Sequence, residues 1–254
     1  MSYEIFNYFT QAWIAIAVIV FFALLFITAP YGRHTKRSWG PLIDNRVGWV
    51  VMEIFVIAVL YFFIFTGRYA AIQSTTNIVI IGLFSLHYFN RSLIFPFRLR
   101  TKGKKMPLSI VLMGMTFNLV NGFLIGYFLG NFRVYGNDWL TSPEFIVGAV
   151  LFFIGLIINW HSDTVLINLR KPGETGYKIP QGGLFRWVSC PNLLGEVLEW
   201  GGFAVLTWSL PGLAFFIWTF ANLVPRALSH HKWYRSHFGE DYPAKRKAVI
   251  PFLW

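Results

Sequence analysis

Glu53 sits within WVVMEIFVIAVLYFFIF, seven residues past Arg46 and so roughly 10 Å into any helix that starts there. A carboxyl group at that depth in hydrocarbon costs several kcal/mol unless it faces a bundle interior, which makes it a candidate for chemistry. Tyr88 and Arg91 are three residues apart and share a helix face at the end of LFSLHYFNR. Asn159 and Asp163 are spaced i, i+4, and Arg170 continues their stripe if the helix extends that far. Asn192, Glu196 and Glu199 repeat the pattern, as do Asn222, Arg226, His230 and Tyr234 at i, i+4, i+8 and i+12. Taken singly, each stripe reads as an interfacial patch or a structural pair such as Glu196 with Arg226. Taken together, five polar stripes at one end of apolar segments are what a polar cofactor entering from the cytosol would require.

Other chemistries are excluded by what is missing. There is no G-x-G-x-x-G and no G-x-x-x-x-G-K-[ST], hence neither of the common nucleotide fingerprints. Six histidines, of which only His230 and His231 adjoin, are too few for a two-iron desaturase, and a metal site is not expected. His34, His87, His161 and His237 read as interfacial residues. Cys190 is the only cysteine, so neither a disulfide framework nor a thiolate cluster is possible. Gly114, Asn118, Gly122, Gly126 and Gly130 recur at i+4 and form a face almost without side chains, suited to close helix packing or to a flat ligand.

The elements that must carry these residues are membrane helices. In 254 residues, 56% are hydrophobic, 19% aromatic and only 13% charged, with a mean hydropathy of +0.53, which no water-facing surface accommodates. Apolar segments fall at about 8–29, 47–66, 74–95, 106–130 and 145–167, each long enough for a span of roughly 20 residues. The run 193–224 is too long for one ordinary span and is interrupted by Trp208-Ser209-Leu210-Pro211-Gly212, so it divides into two. Seven spans place 20 of the 22 basic residues on one side and only Arg68 and Arg133 on the other. The predicted fold is therefore all-α: one seven-span integral membrane bundle over residues 1–254, with the N-terminus outside or lumenal and the C-terminus cytosolic. The net charge of +11 then marks cytosolic loops rather than a nucleic-acid surface.

LHYFNR at 86–91, INWHSDTVLINLRKPGETGYKIPQGGLF at 158–185, SCPNLLGEVLEW at 189–200 and HHKWYRSHFGEDYPAKRKAVIPF at 230–252 carry a resemblance. The chain resembles the steroid 5α-reductases nearly end to end, its vertebrate type 2 branch most. The resemblance implies NADPH-dependent hydride transfer to C5 of a 3-oxo-Δ4-steroid that enters from the bilayer. Glu53 and Tyr88 match the pair that holds the steroid 3-keto oxygen, where a hydrogen-bond donor would stabilise the enolate formed as hydride arrives. Asn159, Asp163, Arg170, Tyr177, Asn192, Glu196, Arg226, His230 and Tyr234 match the cofactor-binding positions. Met113 stands where relatives carry an arginine, leaving Arg98, Arg100, Lys104 and Lys105 as candidates for the cofactor's 2′-phosphate. The membrane implied is the endoplasmic reticulum in a eukaryote and the inner membrane in a bacterium. CPNLLGE and the tail also recur in integral-membrane methyltransferases that use S-adenosylmethionine, a second reading from another class, although Ser189-Cys190 replaces their usual Arg-His.

Overall fold

The computed structural model describes residues 1–28, 37–69, 71–99, 103–170, 174 and 176–252. His34, Arg100 and Lys102 lie outside the described residues. Among the described residues there are eight α-helices: α1 (Tyr3–Phe26), α2 (Asn45–Phe65), α3 (Thr75–Phe89), α4 (Phe95–Arg98), α5 (Leu108–Asn131), α6 (Pro143–Asn168), α7 (Pro191–Thr207) and α8 (Leu210–Phe238). A π-turn, Asn90–Ile94, joins α3 to α4. The all-α expectation omits one feature, an antiparallel ribbon in which β1 (Leu42–Asp44) pairs with β2 (Lys105–Pro107).

Among the described residues, five segments are long and apolar enough to cross a membrane: Tyr3–Phe26, Asn45–Phe65, Thr75–Arg98, Leu108–Asn131 and Pro143–Asn168. Their outward faces are apolar, with Ile19, Phe22, Phe62, Phe65 and Ile157 exposed, as hydrocarbon rather than water would favour. The run 193–224 does divide. Trp208 adopts a left-handed conformation at φ 42°, Ser209 caps the next helix by accepting from the Gly212 amide, and Pro211 sits in its first turn. α8 does not stop near Val224 but continues to Phe238.

The chain forms two compact units. The first comprises Met1–Thr10 and Ala29–Phe145. α2 begins where Asp44 accepts from the amides of Arg46 and Val47, and α3 where Ser74 accepts from that of Asn77. The glycine face of α5 lies on α2: a Cβ on Gly122, Gly126 or Gly130 would strike the carbonyl oxygens of Val56, Leu60 or Phe63. Close packing, not a ligand groove, is what those three glycines serve.

The second unit comprises Gln11–Thr28 and Ile146–Trp254. Here α6 and α7 meet through glycines seven residues apart on each helix, Gly148 and Gly155 against Gly202 and Gly195, again with backbone touching backbone. The tail returns beside the segment before α7. Lys247 donates its amide to the Trp187 carbonyl, and the Ser189 amide donates to the Lys247 carbonyl, each at 2.8 Å.

Candidate functional site

In the first unit, Glu53 (9% exposed) and Tyr88 (4% exposed) are both buried, on α2 and α3. A contact one turn closer to the helix ends relates their depths. Arg91 lies over the rings of Trp49, 5.1 Å away, and Phe95, 4.5 Å away. Glu53 is four residues beyond Trp49, and Tyr88 is three before Arg91. Because α2 and α3 run in opposite directions past this contact, both side chains stand about one turn further in on adjacent helices. Asn118 on α5 holds α2 at the same level, its buried amide donating to the Met52 carbonyl at 2.7 Å. The Tyr88 ring packs on Phe84 at 4.8 Å and on buried His87 at 5.1 Å, an apolar and aromatic setting for the phenol. Of the remaining candidates in this unit, Lys104, Lys105, Arg98 and Met113 are exposed. The Lys104 carbonyl receives the Asn45 amide, which fixes its backbone beside the start of α2.

In the second unit the structure joins three predicted residues into one chain of hydrogen bonds. Asn159 Nδ2 donates to the Asn192 carbonyl at 3.0 Å, and Asn192 Nδ2 donates to Asp163 Oδ1 at 3.1 Å. Asn159 is 1% exposed, and its Oδ1 is buried without a hydrogen-bond partner. An amide oxygen left so is an acceptor available to a polar ligand. Close approach is possible because Gly195 packs on the Asn159 backbone. Glu196, Arg226 and His230 are half-buried on α7 and α8, and Tyr234 is buried, stacked on Tyr242 at 5.4 Å. Tyr177 is exposed, with its ring 4.6 Å from Trp233 on the same helix as Tyr234.

Arg170 departs from the expected stripe. α6 ends at Asn168, so Arg170 leaves the helix and donates to the Gly176 carbonyl at 3.2 Å. Its side chain thus meets the backbone beside Tyr177.

A further cluster in this unit was not expected. Ser189 Oγ lies 2.6 Å from His231 Nδ1, 2.6 Å from Tyr242 Oη and 3.0 Å from the Lys247 carbonyl. Arg246 is only 3% exposed; it donates to the Pro180 carbonyl and to Gln181 Oε1, and its guanidinium lies 5.1 Å from the Tyr242 ring. Burial, reinforced by Arg235, Arg246 and Lys247, holds the His231 pKa below its ordinary value. Burial raises that of Tyr242. The neutral form of the histidine is thus favoured beside the buried Arg246.

Both halves can now be set against known proteins. Residues 104–254 match the family model described as 3-oxo-5-alpha-steroid 4-dehydrogenase. The chain is 44% identical over 242 residues to the bovine (Bos taurus) protein of that name, type 1, covering 94% of this chain and 93% of the relative. It is 40% identical over 254 residues to the Gossypium hirsutum steroid 5-alpha-reductase DET2, covering 98% of each. The chain belongs to the steroid 5-alpha-reductase family. A further relative, the human type 1 enzyme, is 43% identical over 224 residues, covering 88% of this chain and 86% of its own. The steroid reductases are oxidoreductases, and likeness over this much of the chain displaces the methyltransferase reading.

Proposed function

We propose that this steroid reductase family member reduces the Δ4 double bond of a 3-oxo-Δ4-steroid with NADPH, and that Glu53 and Tyr88 hold the 3-keto oxygen. The supporting observation is the pair itself: a buried carboxyl group and a buried phenol at one depth on neighbouring helices. Both can donate a hydrogen bond, the phenol through its hydroxyl and the carboxyl group in its protonated form. Donors there draw electron density toward O3, leave C5 electrophilic and stabilise the enolate; protonation at C4 then completes the saturated ketone.

NADPH, when bound, supplies the hydride. The orphaned Oδ1 of Asn159 and the Asn159–Asn192–Asp163 chain fit a polar ligand. Arg170, Tyr177, Glu196, Arg226, His230 and Tyr234 complete the proposed cofactor set, with Lys104 a candidate for the 2′-phosphate. In the same reading the chain crosses the membrane seven times, α7 and α8 supplying the last two spans, with the N-terminus outside or lumenal and the C-terminus cytosolic. Its membrane is the endoplasmic reticulum or a bacterial inner membrane according to its source, and the steroid enters from the bilayer.

Incubating the purified protein with NADPH and testosterone or progesterone, and analysing products by mass spectrometry, tests the reading. A gain of two mass units with 5α stereochemistry is expected. Unchanged steroid in the presence of demonstrable NADPH binding would overturn it.

A further inference from the structure

The helix that carries Tyr88 loses its α-helical spacing immediately after that residue. Pro96 provides the reason. It has no amide hydrogen to give the Ser92 carbonyl, and its ring would press on that carbonyl in a regular helix. The backbone widens instead: Asn90–Ile94 form a π-turn in which the Phe95 amide reaches back five residues to the Asn90 carbonyl. Inside this turn Ser92 is 0% exposed, and its hydroxyl donates to the Tyr88 carbonyl at 2.6 Å. Thr10, Thr66, Thr116, Thr164, Thr207 and Thr219 also bond to carbonyls four residues back, but all six lie in or directly beside regular α-helix. At Ser92 the same bond spans the place where the backbone pattern changes. Arg91, between Trp49 and Phe95, anchors the turn to α2.

We propose that Ser92 is a positioning residue for Tyr88: held by the Pro96-induced π-turn, its hydroxyl fixes the Tyr88 carbonyl and hence the aim of the phenol. The proposal rests on Tyr88 holding the steroid carbonyl. Positioning of a catalytic group is worth a great deal, since displacement by about 1 Å can lower a rate by as much as 10²-fold. Single-turn π-bulges are frequent at functional sites, which accords with this use.

The test is a double-mutant cycle on the full-length protein in membranes, with kcat and KM for testosterone and NADPH measured for Ser92→Ala, Ser92→Thr, Tyr88→Phe and Tyr88→Phe/Ser92→Ala. Ser92→Ala is expected to lower kcat about 10-fold while leaving KM for NADPH within about twofold. Ser92→Thr, which keeps the hydroxyl, is expected to restore it. In the Tyr88→Phe background, Ser92→Ala should change kcat less than twofold, because a residue that acts through the phenol has nothing left to aim. An equal loss from Ser92→Ala in both backgrounds, or a wild-type kcat for Ser92→Ala beside a crippled Tyr88→Phe, overturns the positioning role alone. A near-normal Tyr88→Phe overturns the oxyanion reading, and the positioning role with it.

Discussion

The hydroxyl of Ser189 stands 2.6 Å from Nδ1 of His231, forty-two residues away, and it is the meeting point of three segments. The hydroxyl has one proton. The Lys247 carbonyl can only accept, so giving that proton to Lys247 leaves two lone pairs, which Tyr242 Oη–H and a protonated Nδ1 of His231 saturate. The segment before α7, the end of α8 and the returning tail are thereby tied together. Asn192 lies three residues from this knot on one side and His230 one residue on the other, so the knot fixes two of the proposed cofactor residues.

A pH dependence follows from His231. Its folded pKa lies below the unfolded value of 6.5, so between the two the unfolded chain binds the extra proton and the folded chain does not. Stability should therefore be level above pH 6.5 and fall as pH drops through that value toward the folded pKa. Thermal unfolding of detergent-solubilised protein between pH 7.5 and 5 is expected to show this decline, and His231→Gln a flatter curve. Identical slopes for the two proteins would assign the titration elsewhere.

The glycine contacts give a stability prediction with an internal control. Leucine at Gly202 would drive a side chain into the Phe152 backbone amide and the Gly148 carbonyl, with only rigid backbone to displace. Overpacking of this kind destabilises by about 1–3 kcal/mol or more. Gly82 on α3 has nothing within 4 Å of an added Cβ, and alanine there favours helix. Melting temperatures should fall for Gly202→Leu and hold or rise for Gly82→Ala.

What the sequence made legible is what repeats at helical spacing. Asn159 and Asp163 declared a shared face, and Trp208 to Gly212 declared a break, because both signals are local. Gly148 with Gly155 and Gly195 with Gly202 carry a seven-residue spacing on two segments, a sparser signal than the i+4 glycine face of α5. The Ser189 knot was not legible. Its partners lie 42, 53 and 58 residues away, and nothing local distinguishes a buried Arg246 from the exposed lysines beside it. The π-turn was equally hidden, since Asn90–Ile94 fall inside the stretch 74–95 that reads as one continuous span and Pro96 lies just past its end. Arg170 stands off the Asn159–Asp163 stripe because α6 ends two residues earlier, at Asn168, and its side chain donates to the Gly176 carbonyl.

The topology is tested by cysteine labelling against the native background, where Cys190 is buried. Lys105→Cys and Lys245→Cys are both exposed positions and, with seven spans, share the cytosolic side. Both should react with a membrane-impermeant maleimide only when the cytosolic face is accessible. Labelling from opposite faces would require an odd number of crossings between them and would overturn the seven-span reading.

For the proposed catalytic pair, Tyr88→Phe removes one donor from the steroid oxygen and keeps the ring packed on Phe84 and His87. The loss of one oxyanion donor typically lowers kcat by about 10²–10³-fold. Glu53→Gln preserves size and a donor but not the carboxylic acid, so its loss should be smaller than that of Glu53→Leu. Steady-state rates with NADPH binding measured in parallel check both, since binding is expected to remain near wild type.

Arg226 decides whether the α8 stripe belongs to the cofactor. It is half-buried, four residues before His230 and eight before Tyr234 on one helix face, so a ligand along that face meets all three. A charge-assisted bond to phosphate is worth roughly 1.5–3 kcal/mol, so Arg226→Ala should raise the NADPH dissociation constant by about 10- to 150-fold. Steroid affinity should change less when NADPH is saturating. A structural role predicts something different: a lower melting temperature without ligand, and normal affinity in the protein that remains folded. Thermal unfolding with and without NADPH separates the two, because bound cofactor raises the melting temperature of the wild type through mass action and should scarcely raise that of a cofactor-site variant at the same concentration. An Arg226→Ala protein that is stabilised by NADPH as fully as the wild type would remove helix α8's arginine from the site.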